Sequence, residues 1–159
     1  MRYGSITIKK GIQELEDNGV KDILVLPLYP HYAMSSYETV VEKVKEEVYE
    51  NFPNIKIDIV PPFYNNSNYI DLLSSKISFS IKDIEYDHIL FSYHGIPVSH
   101  LKISDPTNSH CYKVENCCSV NSLAHKTCYK HQCLETTRLV TEKLNLSLIH
   151  ISEPTRPLY

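Results

Sequence analysis

The chain has 159 residues, a hydrophobic fraction of 42%, a charged fraction of 22% and a formal net charge of −3. That length can bury one sizeable core, and the composition argues against wholesale disorder. The balance of charge, with no long basic run, excludes a nucleic-acid footprint; no apolar run reaches bilayer length and no signal-peptide pattern opens the chain, so a reducing cytoplasm is the expected setting.

The first predicted helix runs from Ser5 to Asp17, with Ile8, Ile12 and Leu15 at helical spacing and Asn18-Gly19 as its stop. Ile23-Leu24-Val25-Leu26 follows as a short apolar run that suits a strand buried on both faces. After the loop LPLYPHYAMSS, Ser35 and Glu38 form a capping-box pattern ahead of a helix striped by Val40/Val41, Val44 and Val48. A second strand is expected from Ile55 to Val60, ending at Pro61-Pro62. Ser67 reads as the cap of a third helix, whose face is Ile70, Leu73, Ile77 and Ile81. A third strand is expected from His88 to Ser92, and a last helix from about Leu134 to Leu144. Helices alternating with short apolar strands imply an α/β fold with a parallel sheet flanked by helices. Neither G-x-G-x-x-G nor a P-loop is present.

Two features suggest an incomplete unit. MRYG opens directly onto a helix with no strand before it, and three or four strands make a thin sheet for this class. Residues 147–159 leave the helical pattern, and IHISEPTRP reads as a non-native or disordered tail that carries no chemistry.

Ligands of open α/β sheets gather beyond the carboxyl ends of strands. Two loops leave such ends: Leu28-Tyr29-Pro30-His31-Tyr32 and Ser92-Tyr93-His94-Gly95-Ile96-Pro97. Both set histidine and tyrosine among apolar residues and prolines, which suits a flat apolar ligand with one reactive polar centre. His94 is the sharpest catalytic candidate, because imidazole can accept a proton near neutral pH or coordinate a borderline metal.

All five cysteines and three of the eight histidines fall in one stretch, HCYKVENCCSVNSLAHKTCYKHQC, from His110 to Cys133. In a reducing compartment such clustering points to metal more than to disulfides, and an odd count suits disulfides poorly. Structural zinc on four cysteines, or on three with His110 or His125, is chemically reasonable. No C-x-x-C pair is present.

MRYG, LPLYPHYAMSS, FSYHGIP and a later DP…Y-x-x-Q-x-x-x-T, in that order, resemble the bacterial ferrochelatases, which insert ferrous iron into a porphyrin. The resemblance runs from Met1 to Leu146 and implies two similar Rossmann-like halves with the porphyrin cleft between them. On that reading residues 1–30 end the first chelatase-like domain, and 31–146 form the start and middle of the second, with a cysteine-rich insertion at 107–128. His94 matches the family's active-site histidine, placed as proton acceptor or iron ligand. Arg2 and Tyr3 match a pair on the opposite wall; Tyr29, His31, Tyr32 and Tyr93 match the substrate pocket.

The resemblance implies protoporphyrin IX or coproporphyrin and ferrous iron as substrates, and peripheral membrane contact would suit so apolar a substrate. An essential downstream glutamate of the family has no counterpart in the sequence, so the chain is read as a central fragment that is expected to be inactive alone. Some members carry a [2Fe–2S] cluster on an inserted cysteine loop, which implies Cys111, Cys117, Cys118 and Cys128 as ligands and Cys133 as the spare or alternative. Adjacent Cys117 and Cys118 can both ligate only from an irregular backbone. Two rival functions remain: a cobalt or sirohydrochlorin-type chelatase, which would tend to use two active-site histidines, and a metal-binding module without catalysis.

Overall fold

The computed structural model describes residues 6–147 together with the backbone of 155–156. It is a mixed α/β structure whose strands pair in parallel and are flanked by helices. The described chain divides into two compact units, one built from residues up to 29 together with 34–62, the other from 30–33 together with 63 onward.

In the first unit, α1 (Ile8–Asp17) begins at Thr7, whose hydroxyl accepts the Lys10 backbone N–H at 3.1 Å. It ends as the Asn18-Gly19 stop predicts: Gly19, at φ 80°, donates to the Glu16 carbonyl and Val20 donates to that of Leu15. That paired pattern is a Schellman closure, which needs the left-handed conformation glycine adopts freely. Strand β1 (Asp22–Val25) pairs in parallel with β2 (Lys56–Ile59), in the register Ile23 with Ile57 and Val25 with Ile59.

The crossover between them holds α2 (Thr39–Asn51), whose Val41, Val44 and Val48 are buried as the stripe implies. The expected capping box does not form. Met34–Glu38 is a π-helical turn, so Ser35 lies inside it and Glu38 makes no capping bond; the Thr39 hydroxyl donates instead to the Met34 carbonyl at 2.6 Å. Such turns are rare and favour functional regions. The Tyr37 hydroxyl donates to the Val60 carbonyl at 3.0 Å and ties the turn to the end of β2.

Ile12, Val44, Val48, Phe52 and Ile55 form this unit's core, with Ile23, Val25 and Ile57 packed against it. The sheet is therefore covered on one face by α1 and α2. The other face carries Leu24 at 70% and Leu26 at 54% exposure, so the first strand is half-buried and not buried on both faces.

In the second unit, α3 (Ser67–Ile81) is capped one residue earlier than expected, by Asn66, whose side chain accepts the Tyr69 N–H. The predicted strand over 88–92 is absent among the described residues. From His88 to His94 exposure does alternate with a period of two, with Ile89, Phe91 and Tyr93 on the half-buried side. The alternation is what its residues prefer in a strand, but among the described residues no neighbouring strand completes a ladder with the segment.

A two-residue strand, β3 (Ile96–Pro97), comes later and pairs in parallel with β4 (Thr155–Arg156). The short α4 (Val98–Ile103) precedes the cysteine loop, which ends in a 3₁₀ turn, Leu123–Lys126. The closing helix α5 (Tyr129–Lys143) starts earlier than predicted because the Cys128 sulfur accepts the His131 N–H as its cap. Among the described residues no helix is long and apolar enough to cross a membrane.

Phe52 is 1% exposed at the centre of the first core. Phe52→Ala should therefore lower unfolding free energy by about 3–5 kcal/mol, read from denaturant midpoints at constant slope.

Candidate functional site

Two groups of chemistry-bearing side chains lie within the second unit. The first is aromatic. His31 packs edge-on against Tyr93, with ring centroids 5.6 Å apart, and against Tyr129 at 5.9 Å. The Thr136 hydroxyl donates its one proton to the Tyr64 carbonyl at 2.9 Å, so its contact with His31 Nε2, also 2.9 Å, must be one it accepts. That fixes His31 as the Nε2–H tautomer. Burial pushes the His31 imidazole down to about 4, so it is neutral around pH 7.

The same reasoning orients Tyr93. Thr137 donates to the Cys133 carbonyl, which leaves the Tyr93 hydroxyl to donate to Thr137 at 2.8 Å. Burial raises the Tyr93 hydroxyl to about 12. His94, next in sequence, is exposed, and its backbone N–H donates to the Tyr129 hydroxyl. Tyr129 in turn hydrogen-bonds the Cys133 thiol. His94 thus projects from a backbone whose neighbour Tyr93 is half-buried and whose amide is held.

The second group is the cysteine loop. It opens on Asp105, a buried carboxylate that accepts from Thr107 N at 2.9 Å, Thr107 Oγ1 at 2.7 Å, and the backbone amides of His110 and Cys111 at 2.9 Å each. Burial alone would raise this carboxyl; those four donors overcome it and hold the group well below the usual carboxylate range.

Cys111, Cys128 and Cys133 are buried, Cys117 and Cys118 half-buried, and none of the five is in a disulfide. The Cys111 and Cys118 thiols both hydrogen-bond Cys128, and Cys117 lies close enough to act electrostatically on Cys111 and Cys118. The Cys118 contact, then the His131 N–H and Cys111, bring the Cys128 thiol down to about 6 against the opposing effect of burial. Burial pushes Cys111 up to about 12 and Cys133 up to about 12; Cys118 is raised chiefly by its bond to Cys128. Among the described residues no three Cys, His, Asp or Glu side chains stand as a preformed metal cage. The thiols face one another through hydrogen bonds instead.

A family model described as Ferrochelatase matches residues 1–152. This chain belongs to the ferrochelatase family. The ferrochelatase of Opitutus terrae is 42% identical over 147 residues, covering 92% of this chain and 42% of that protein. That of Pseudomonas fluorescens strain Pf0-1 is 40% identical over 147 residues, covering 92% and 43%. That of Porphyromonas gingivalis is 38% identical, covering 92% and 42%. The chain thus spans less than half the length of these ferrochelatases.

Of the residues singled out in the sequence, the second unit brings together His31 and Tyr93 with the His94 backbone, and separately Cys111, Cys117, Cys118 and Cys128. Tyr32 enters through its backbone N–H, which donates to Gln132 Oε1 at 2.7 Å. Tyr29 belongs to the first unit and is 41% exposed. Arg2 and Tyr3 lie outside the described residues. Several determinants had no role assigned from sequence: Asp105, Tyr129, Gln132, Thr136 and Thr137. Four of them stand in the DP and Y-x-x-Q-x-x-x-T motifs, so the signal was present, but a motif does not say which of its polar atoms is buried.

The neutral, half-buried His31 has a consequence for acid stability. The unfolded chain takes up a proton near pH 6.5 and the folded chain only near 4. Stability contributed by this group is therefore full above about pH 6.5 and lost as pH falls through that window, up to about 3 kcal/mol. His31→Gln keeps an N–H donor and cannot titrate. Melting curves from pH 7 to 4.5 should show a shallower loss for His31→Gln than for the wild type, and parallel curves would contradict this account.

Proposed function

We propose that this chain forms the part of a ferrochelatase that supplies the reacting histidine, and that the substrates are ferrous iron and protoporphyrin IX or coproporphyrin. The observation that carries the reading is the setting of His94. Its ring is exposed while its amide is anchored to Tyr129, and its neighbour Tyr93 is locked against His31 and Thr137. Insertion of iron requires removal of two pyrrole protons, and a positioned imidazole is suited to accept one near neutral pH. It is also suited to hold ferrous iron as the ion sheds water. The aromatic frame behind it resists displacement when a flat ligand presses on the loop.

The donor set of the cysteine loop fits a [2Fe–2S] cluster, with Cys111, Cys117, Cys118 and Cys128 as its ligands. Such a cluster takes four thiolates, and the Cys111 and Cys118 thiols both meet Cys128, with Cys117 near enough to act on Cys111 and Cys118. Cys133 is occupied differently: it takes the Tyr129 hydroxyl and lies in the core at 0% exposure. A zinc site drawing on His110 or His125 would have to use Nδ1, because each Nε2 is bonded to a carbonyl. When bound, the cluster would cross-link the loop and add a one-electron redox centre there. Free thiols in this number suit a reducing cytoplasm.

Two measurements test these assignments. In the protein that carries this sequence, His94→Ala should lower the turnover of iron insertion by about 10²–10⁴-fold while leaving the melting temperature close to wild type. Turnover within a few-fold of wild type would remove His94 from the reaction. After anaerobic purification the wild type should show visible absorption with two irons and two sulfides per chain; Cys128→Ser should abolish it and Cys133→Ser should keep it. A colourless protein holding one zinc would establish the zinc alternative.

A further inference from the structure

Three histidines of the cysteine loop converge on the backbone of the adjacent cysteine pair. His110 Nε2 lies 2.7 Å and His125 Nε2 2.9 Å from the Cys117 carbonyl oxygen, and His131 Nδ1 lies 2.8 Å from that of Cys118. A carbonyl can only accept, so all three ring nitrogens carry the proton and donate. Both lone pairs of the Cys117 carbonyl are thereby occupied. The three rings brace one another: His125 and His131 stack at 3.6 Å and 10° between planes, and His110 meets His125 edge-on at 5.5 Å.

The backbone they hold is a tight turn reached through left-handed residues. Ser119 N donates to the Asn116 carbonyl at 2.8 Å, so Cys117 and Cys118 are the two central residues of a tight turn, entered through Asn116 at φ 51°. Left-handed φ recurs at Tyr112 and Asn108, 59° and 52°, in a loop without glycine. Non-glycine residues adopt this region at a cost and keep it only where surrounding contacts impose it. Successive side chains on a regular strand point oppositely and on a helix diverge by about 100°, so two neighbouring thiols serve one site only from such a turn.

We propose that His110, His125 and His131 are positioning residues for the metal loop: their N–H groups fix the two cysteine carbonyls, so that the Cys117 and Cys118 thiols are held together before any iron arrives. The proposal rests on the cluster reading of this loop. The histidines are donors to the backbone in it, not ligands, and their imidazoles are consumed by the scaffold. A hollow of about 510 Å³ bordered by Cys118, His125, His131 and Arg138, and another of about 490 Å³ bordered by Cys117, Cys118 and Lys130, lie beside the turn and leave it approachable from solvent.

The test compares ring-keeping with donor-keeping replacements. His125→Phe preserves a flat ring for the stack and removes the donor; His125→Gln returns an amide N–H at the position of Nε2. His131→Phe and His131→Asn form the matching pair for an Nδ1 donor. Each variant is reconstituted anaerobically with iron and sulfide, and cluster loss to a chelator is followed by visible absorption. Removing one such donor should speed loss by about five-fold, and the amide variants should recover to within about two-fold of wild type.

Melting of the metal-free proteins serves as the folding control. Phenylalanine variants that load and lose cluster like the wild type overturn the proposal. So do amide variants that melt normally yet fail to recover. A wild type that takes up no cluster at all overturns the cluster reading as well, a result separable from the first two.

Discussion

One buried side chain governs the second unit. Gln132 is fully buried, and its amide Nε2 donates to the carbonyls of His125 at 3.0 Å and Lys126 at 2.9 Å while Oε1 accepts the Tyr32 N–H at 2.7 Å. Both amide hydrogens and an oxygen lone pair are thus satisfied inside the protein. A buried amide left unpaired costs roughly 1–3 kcal/mol, so the three segments it touches are bound to a common geometry. Those segments are the 30–33 stretch that carries His31, the 3₁₀ turn that carries His125, and α5 itself. The aromatic site and the cysteine loop are two outgrowths of the same hydrogen-bonded node.

Asp105 plays the complementary part at the other end of the loop. Four donors converge on its carboxylate, three of them the backbone amides of Thr107, His110 and Cys111. A stretch as long as 107–128, with only one short 3₁₀ turn, would otherwise lose little by fluctuating. Anchored by Asp105 where it begins and by Gln132 where it ends, the loop has two fixed ends and one tight turn between them. This is how a segment without glycine keeps three left-handed residues: the anchors determine the path, and the local cost is absorbed.

The helices were legible in the sequence because periodicity and stop signals are local. The Asn18-Gly19 closure and the valine stripe of α2 came out as residue spacing implies. The misses share a different cause. Ser35 and Ser67 had the right chemistry for caps, yet the chain turned one or more residues away, into a π-turn and onto Asn66. The segment over 88–92 has strand composition and strand-like alternation, but a ladder depends on a neighbour that no local pattern records. Clustering of the cysteines was plain from their spacing. That the loop's histidines serve carbonyls was not, because a histidine beside cysteines reads as a ligand until its ring nitrogens are placed.

The distribution of the five histidines around the two sites has a chemical logic. His31, His110, His125 and His131 each have a ring nitrogen bonded to a fixed partner, a threonine hydroxyl or a carbonyl. An imidazole so engaged is held in one tautomer and is poorly placed to exchange a proton during a reaction. His94 differs in being exposed, with only its backbone tied down. Of the five it is the one that is exposed, which is why the proposed reaction is assigned to it. The chelatases that act through two histidines would need a second exposed imidazole beside it, and His31, though close in the fold to Tyr93, is neutral, half-buried and committed to Thr136. Within this group, His31, His110, His125 and His131 build the surfaces around Tyr93 and the thiols, and His94 alone presents an exposed ring.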